Sequence, residues 1–197
     1  MPLADSVFKT VYLIGLIAGS VIRKWYARPN KRQDVADNRR SWPDTLLVAL
    51  GAAGIFVLPL LYVATDWLDF ADYPLPAWAG WCGAGVFAVA LWLLWRSHVD
   101  LGRNWSPIPQ VRKDHSLVTQ GVYRRIRHPM YAAHWLWALA QALLLHNWLA
   151  GPAMLATFLP LYLVRVPREE RMMLDHFGEE YREYMSRTGR AIPRLWR

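Results

Sequence analysis

The chain has 197 residues, of which 54% are hydrophobic and 19% charged, with 12 Trp and a formal net charge of +8. This is too apolar for a disordered or collagen-like chain and high for an ordinary soluble domain, and the length supports a single domain. The lone cysteine, Cys82, excludes an intramolecular disulfide framework and a cysteine-rich metal site.

Mean hydropathy is only +0.07, so the polar residues must be concentrated in particular segments. Residues 7–22 form the first apolar stretch, interrupted by Lys9. Its basic residues follow the apolar core and no small-x-small cleavage pattern appears, so it reads as a retained helix rather than a signal peptide. Gly15 and Gly19 make a GxxxG there, which predicts a helix-packing contact. Residues 45–64 and 77–95 carry no charge. Residues 131–145 and 148–164 form a hairpin around His146-Asn147. Each stretch approaches the roughly 20 residues a helix needs to cross a bilayer. Pro59 and Pro160 fall inside spans and predict kinks. Gln141 and Thr157 are isolated polar residues expected to pack between helices. The Trp residues at positions 25, 42, 67, 78, 95 and 148 lie near span ends, where amphipathic rings anchor at the interface.

The basic residues set an orientation. The connection after the first span has 7 Lys or Arg, that after the third another 7, and the segment after the fifth has 8, accounting for all but Lys9 of the chain's 23. The loop 65–76 has three Asp and no Lys or Arg. This alternation follows the positive-inside rule, with the amino terminus outside and the carboxyl terminus cytoplasmic. A nucleic-acid patch fits poorly, because the basic residues sit in three separate segments. The expectation is an all-α integral membrane protein with five transmembrane helices. Three lie within residues 1–95, a cytoplasmic loop covers 96–130, a helical hairpin covers 131–164, and a cytoplasmic helical segment covers 165–197.

Polar residues gather in two of these segments, 101–131 and 165–196. Only a tight hairpin separates them, so the topology predicts a joint site on one face. Gly121 ends a turn, and Pro129 opens a helix whose free N–H groups suit an anion. His128 could cap that helix or face headgroups. Pro167 reads as a first-turn residue of a further helix, with Glu169 and Glu170 favoured by its dipole. Met173, Phe177, Tyr181 and Tyr184 recur at helical spacing as one apolar stripe. Arg165 and Glu169 share a face if the helix runs through Pro167, and Arg165 sits at a span edge, where an unused charge is costly. No GxGxxG follows a strand, so a soluble dinucleotide site is unsupported. The His residues are scattered, with His128 and His134 six apart, and no metal site is expected.

Taken together these residues resemble the integral-membrane isoprenylcysteine carboxyl methyltransferase family. The strings are Leu101-Gly102-Arg103-Asn104-Trp105-Ser106, Gly121-Val122-Tyr123-Arg124, Arg127-His128-Pro129-Met130-Tyr131, Glu169-Glu170, Phe177-Gly178-Glu179-Glu180-Tyr181, and Arg187-Thr188 leading to Ile192-Pro193. They cover roughly half the chain. The RHPxY piece is also shared with phospholipid and thiol methyltransferases and with membrane sterol reductases. The resemblance implies S-adenosylmethionine as methyl donor, held in a cytoplasmic pocket between the loop before the fourth span and the C-terminal segment. Carried over by position, that pocket uses His115, Ser116, Leu117, Val118, Gly121, Tyr123, His128, Pro129 and Tyr131, then Glu170, Tyr181 and Arg194. Arg165 would orient a carboxylate nucleophile and Glu169 would fix Arg165. An amine or thiol acceptor would need a base, for which Glu169 is the nearby candidate. The implied acceptor is lipophilic, most nearly an isoprenylcysteine carboxylate, with phospholipid N-methylation and thiol S-methylation as alternatives. A sterol-reductase-like enzyme and a non-catalytic membrane protein stand further off.

Overall fold

The computed structural model describes residues 3–27, 35–38, 42–104, 110–112 and 116–194. The first apolar stretch extends at both ends into α1 (Leu3–Ala27), because nothing in its flanks breaks a helix. The second forms α2 (Trp42–Ala52) and α3 (Leu58–Ala64), joined by a π-helical turn at Ala53–Val57. The third is α4 (Ala77–Leu101). Then follow α5 (Pro129–Leu144), α6 (Ala153–Phe177) and α7 (Glu179–Arg187). One short ribbon accompanies the expected helices. Strands β1 (Val35–Asn38) and β2 (Gln110–Arg112) pair antiparallel, with Val35 opposite Arg112 and Asn38 opposite Gln110.

Three segments, Asp5–Ala27, Trp42–Ala64 and Ala77–Leu101, are long and apolar enough to cross a membrane. Helix α5, with 16 residues, reaches only about 24 Å, short of a hydrocarbon core of roughly 30 Å. The hairpin also differs from expectation. The chain turns at residues 148–151 before α6 begins at Ala153. Helix α6 then runs unbroken through Pro160 and Pro167, so no new helix starts at Pro167.

Glycines let α1, α4 and α5 interlock. A Cβ on Gly15 would lie 2.1 Å from the Phe87 ring, one on Gly19 2.4 Å from Trp137, and one on Gly80 2.3 Å from Phe8. The GxxxG of α1 is thus a pair of sockets for aromatic knobs from α4 and α5. Phe8, Tyr12, Phe87, Leu94, Trp137, Leu144, Met154 and Phe158 fill the core. Ile14, Ile17, Val21, Leu46, Val57 and Leu163 point outward and stay exposed, as do Trp25, Trp42, Trp67, Trp78 and Trp148.

The π turn solves a hydrogen-bond problem set by Pro59. Leu58 N–H reaches back to Ala53 O, and Pro59 has no N–H. The carbonyls of Gly54 and Ile55 are therefore released. Gln141 Nε2 donates to Gly54 O at 3.0 Å and to Ala150 O at 2.7 Å. The Tyr12 hydroxyl lies 2.7 Å from Ile55 O and 2.9 Å from Gln141 Oε1. Gln141 is thus a structural hub rather than an isolated packer, and it joins α2–α3 to α5 and to the turn before α6.

Candidate functional site

The two polar segments meet as parallel chain paths. Arg127 N–H donates to Gly189 O and His128 N–H to Arg190 O, both at 2.9 Å, and Gly189 N–H returns to Arg125 O at 3.2 Å. This seam fixes the start of α5 against the stretch that follows α7. Charges reinforce it. Glu170 on α6 accepts from Arg127 Nε at 2.6 Å and from Arg190 Nη2 at 2.7 Å. Arg127 also donates to Thr188 O at 2.6 Å. Burial pushes the Glu170 carboxyl up, but His128, Arg190 and Arg127 outweigh it and hold the group down at about 2. Of these, His128 Nε2 is 3.3 Å away but out of line, and it has no hydrogen-bond partner among the described residues.

Beside the seam lies a cavity of about 360 Å³, lined from α1, α2, the π turn, α5, α6, α7 and the stretch before α5. Its lining changes along α6. Phe158 and Leu161 are apolar, and one turn on come Arg165, Glu169, Met172 and Met173. Because Pro167 leaves α6 intact, Arg165 and Glu169 share a face, with Arg165 Nε 2.8 Å from Glu169 Oε1. The Tyr131 hydroxyl donates to the same oxygen at 2.9 Å. His128 Nδ1 stands 4.0 Å from Glu169 Oε2.

Tyrosines close the other side. The Tyr123 hydroxyl donates to Ser97 O at 3.3 Å, and the Tyr184 hydroxyl to Tyr123 O at 2.6 Å. Burial pushes the Tyr123, Tyr181 and Tyr184 phenols up, so they stay protonated donors.

Of the residues expected at the site, Arg165, Glu169, Leu117, Val118, Tyr123, His128, Pro129, Tyr131 and Tyr181 line the cavity. Four do not. Glu170 faces the seam, where two arginines occupy its oxygens. Gly121 adopts φ +59, and a Cβ there would sit 2.1 Å from Asp100 Oδ2. Its role is to let Asp100 accept from Val122 N–H at 2.9 Å, while Arg96 bonds the same carboxylate at 2.7 Å. Ser116 is exposed and bonded to Asn104. Arg194 is exposed and donates to Ser186 O. His115 lies outside the described residues. His128 precedes α5 without a side-chain cap bond, and Pro129 opens the helix as expected. The stripe from Met173 to Tyr184 is split by Gly178 (φ +55), so Phe177 turns away while Met173, Tyr181 and Tyr184 reach the cavity. Sequence pattern assigns no site role to Arg127, Arg190, Asp100, Arg23 or His134. Arg127 stood within the RHPMY string, but its partner is 43 residues away.

The cavity fits S-adenosylmethionine by chemistry. Buried phenols and methionine side chains suit an aromatic base and a sulfonium.

Residues 83–175 match the model of the isoprenylcysteine carboxyl methyltransferase (ICMT) family. The protein-S-isoprenylcysteine O-methyltransferase of Tribolium castaneum is 36% identical over 94 residues, covering 47% of this chain and 34% of that protein. The human protein of the same name is 34% identical over 47% of this chain and 33% of its own length. Protein-S-isoprenylcysteine O-methyltransferase A of Arabidopsis thaliana is 26% identical over 76% of this chain and 77% of its own. The solved eukaryotic intramembrane Ras methyltransferase ICMT superposes with a TM-score of 0.52 at 27% identity, over 80% of this chain and 54% of that one. The chain thus covers about a third of the length of the insect and human relatives and about half of the solved structure. With the apolar helices, these likenesses make it an integral membrane protein of helical, ICMT-like fold.

Proposed function

We propose that this chain, which belongs through residues 83–175 to the ICMT family, is a membrane methyltransferase that esterifies the carboxylate of an isoprenylcysteine-like acceptor. S-adenosylmethionine held in the cavity would supply an activated methyl group with a neutral thioether as leaving group, and the acceptor carboxylate would be the nucleophile. Tyr123, Tyr181, His128 and the methionines of α6 would hold the donor. Arg165 would hold the acceptor carboxylate in line, and Glu169 holds Arg165.

The observation that carries this reading is the state of Glu169. Its Oε1 already accepts from both Arg165 and Tyr131. The oxygen engaged this way serves as a clamp rather than a free base. An amine or thiol acceptor needs a proton removed, whereas a carboxylate does not. The geometry therefore favours a carboxylate over the phospholipid and thiol alternatives. The apolar side of the cavity, at Ile55, Phe56, Phe158 and Leu161, suits the acceptor's hydrocarbon chain.

The same reading includes five spans, an outside amino terminus and a cytoplasmic cavity. It is supported by the segregation of Lys and Arg, and the donor is then reached from water. The test is methyl transfer by purified protein in detergent, from radiolabelled S-adenosylmethionine to an N-acyl S-farnesylcysteine, to phosphatidylethanolamine or to an alkyl thiol. Base-labile label on the prenylcysteine, released as methanol, is the expected result. Base-stable label on an amine or sulfur acceptor instead would overturn the carboxylate assignment.

A further inference from the structure

Among the described residues, the cavity has a cation, Arg23, that the mechanism above leaves unused and no carboxylate matches. Arg23 lies near the end of α1 and lines the cavity with Gly19 and Ser20. Its Nη1 is 3.2 Å from His134 Nε2. The other nitrogen of that ring, Nδ1, is 2.6 Å from Met130 O, to which it must donate. Nε2 is then a lone pair accepting from Arg23, which is the neutral imidazole. The ring stacks on Phe158 at 5.4 Å between centroids and 17° between planes, which fixes its direction. An uncharged, immobilised partner thus aims Arg23.

The other arginines of the cavity are matched. Arg165 pairs with Glu169 at 2.8 Å and Arg127 with Glu170 at 2.6 Å. Among the described residues Arg23 has no carboxylate partner, and Arg165 is its charged neighbour. The surplus positive charge of the cavity therefore sits at Arg23. Arg23 is exposed and His134 half-buried, and an arginine that merely reached for lipid headgroups would need no stacked acceptor to orient it.

We propose that Arg23, positioned by His134, binds the anionic head of the acceptor and selects carboxylates against neutral or cationic groups. This rests on the methyl-acceptor reading above. An anion between Arg23 and Arg165 relieves the repulsion between them, whereas an amine would add to it.

The test is calorimetric binding of an N-acyl S-farnesylcysteine and of its carboxamide to wild type, R23Q and R23K. S-adenosylhomocysteine binding is measured in parallel. Wild type is expected to prefer the acid by about tenfold or more, since a charge-assisted hydrogen bond is lost in the amide. R23Q should narrow the preference to the share that Arg165 supplies and R23K should keep more of it, with S-adenosylhomocysteine binding unchanged in both. H134F keeps the ring stack but removes the acceptor, and should narrow the same ratio. Equal binding of acid and amide by wild type, or a preference in R23Q as large as that of wild type, would overturn the proposal. The wild-type comparison needs no variant to fold. Failure of wild type to bind S-adenosylhomocysteine would instead sink the methyltransferase reading, while the change in acid preference from wild type to R23Q still reports on Arg23.

Discussion

Glu169 and Glu170 are neighbours in sequence, yet the two faces of α6 that carry them have different tasks. The Glu170 face is stapled. Arg127 and Arg190, from either side of the seam, occupy its oxygens and hold the polar segments together. The Glu169 face borders the cavity, where Arg165 and Tyr131 hold one oxygen and room remains for a ligand. One helical step of about 100° thus separates a frame from a site. A buried carboxylate is therefore no evidence of chemistry until its partners are counted.

The largest effect expected from breaking this contrast is on the stapled side. Glu170→Ala leaves Arg127, with only 9% of its side chain exposed, as an uncompensated charge. Loss of one partner of a buried pair costs about 3–5 kcal/mol, so the thermal midpoint in detergent should fall steeply. Activity should fall only in proportion to the folded fraction. The pH dependence has a definite sign. Glu170 is held down at about 2 from an ordinary 4.5, so its contribution is complete above 4.5 and is lost as the pH falls toward 2. An acid titration of stability should slope downward in that window, and Glu170→Gln should flatten it.

On the cavity side, Arg165→Ala should do the reverse. Turnover should drop by about 100-fold or more, since misplacing the nucleophile costs that much, with little change in melting. Normal turnover in this variant would remove Arg165 from the mechanism.

Gln141→Leu sharpens the comparison from a third position, far from either glutamate. It strands the carbonyls of Gly54 and Ala150, at a cost on the order of 2 kcal/mol, and should lower stability while sparing turnover at equal folded protein. The smallest effect belongs to Gly121→Ala, where a Cβ at positive φ costs about 1–2 kcal/mol and crowds Asp100. A modest loss of stability together with weaker S-adenosylhomocysteine binding is expected, since the turn carries Tyr123 to the cavity. Calorimetry and melting on one preparation check both.

The helices, the family strings and the meeting of the two polar segments were legible in the sequence because each depends on local pattern. Apolar runs make helices in any neighbourhood that lacks water, and Lys and Arg gather between particular spans. Nine of the expected site residues line the cavity, because motif spacing on α5 and α6 already sets which side chains share a face. Whether Pro167 would break α6 was open from the residues alone. The continuous helix joins Arg165 to Glu169, and only packing along its whole length could decide that. The partners of Glu170 were equally out of reach, since Arg127 lies 43 residues before it and Arg190 20 after. The same holds for Arg23 and His134, which are 111 residues apart. Ionic and hydrogen-bond pairing at such separations leaves no period in the sequence. It exists only once the helices have packed, and that packing decides which charges are matched and which one is left for a ligand.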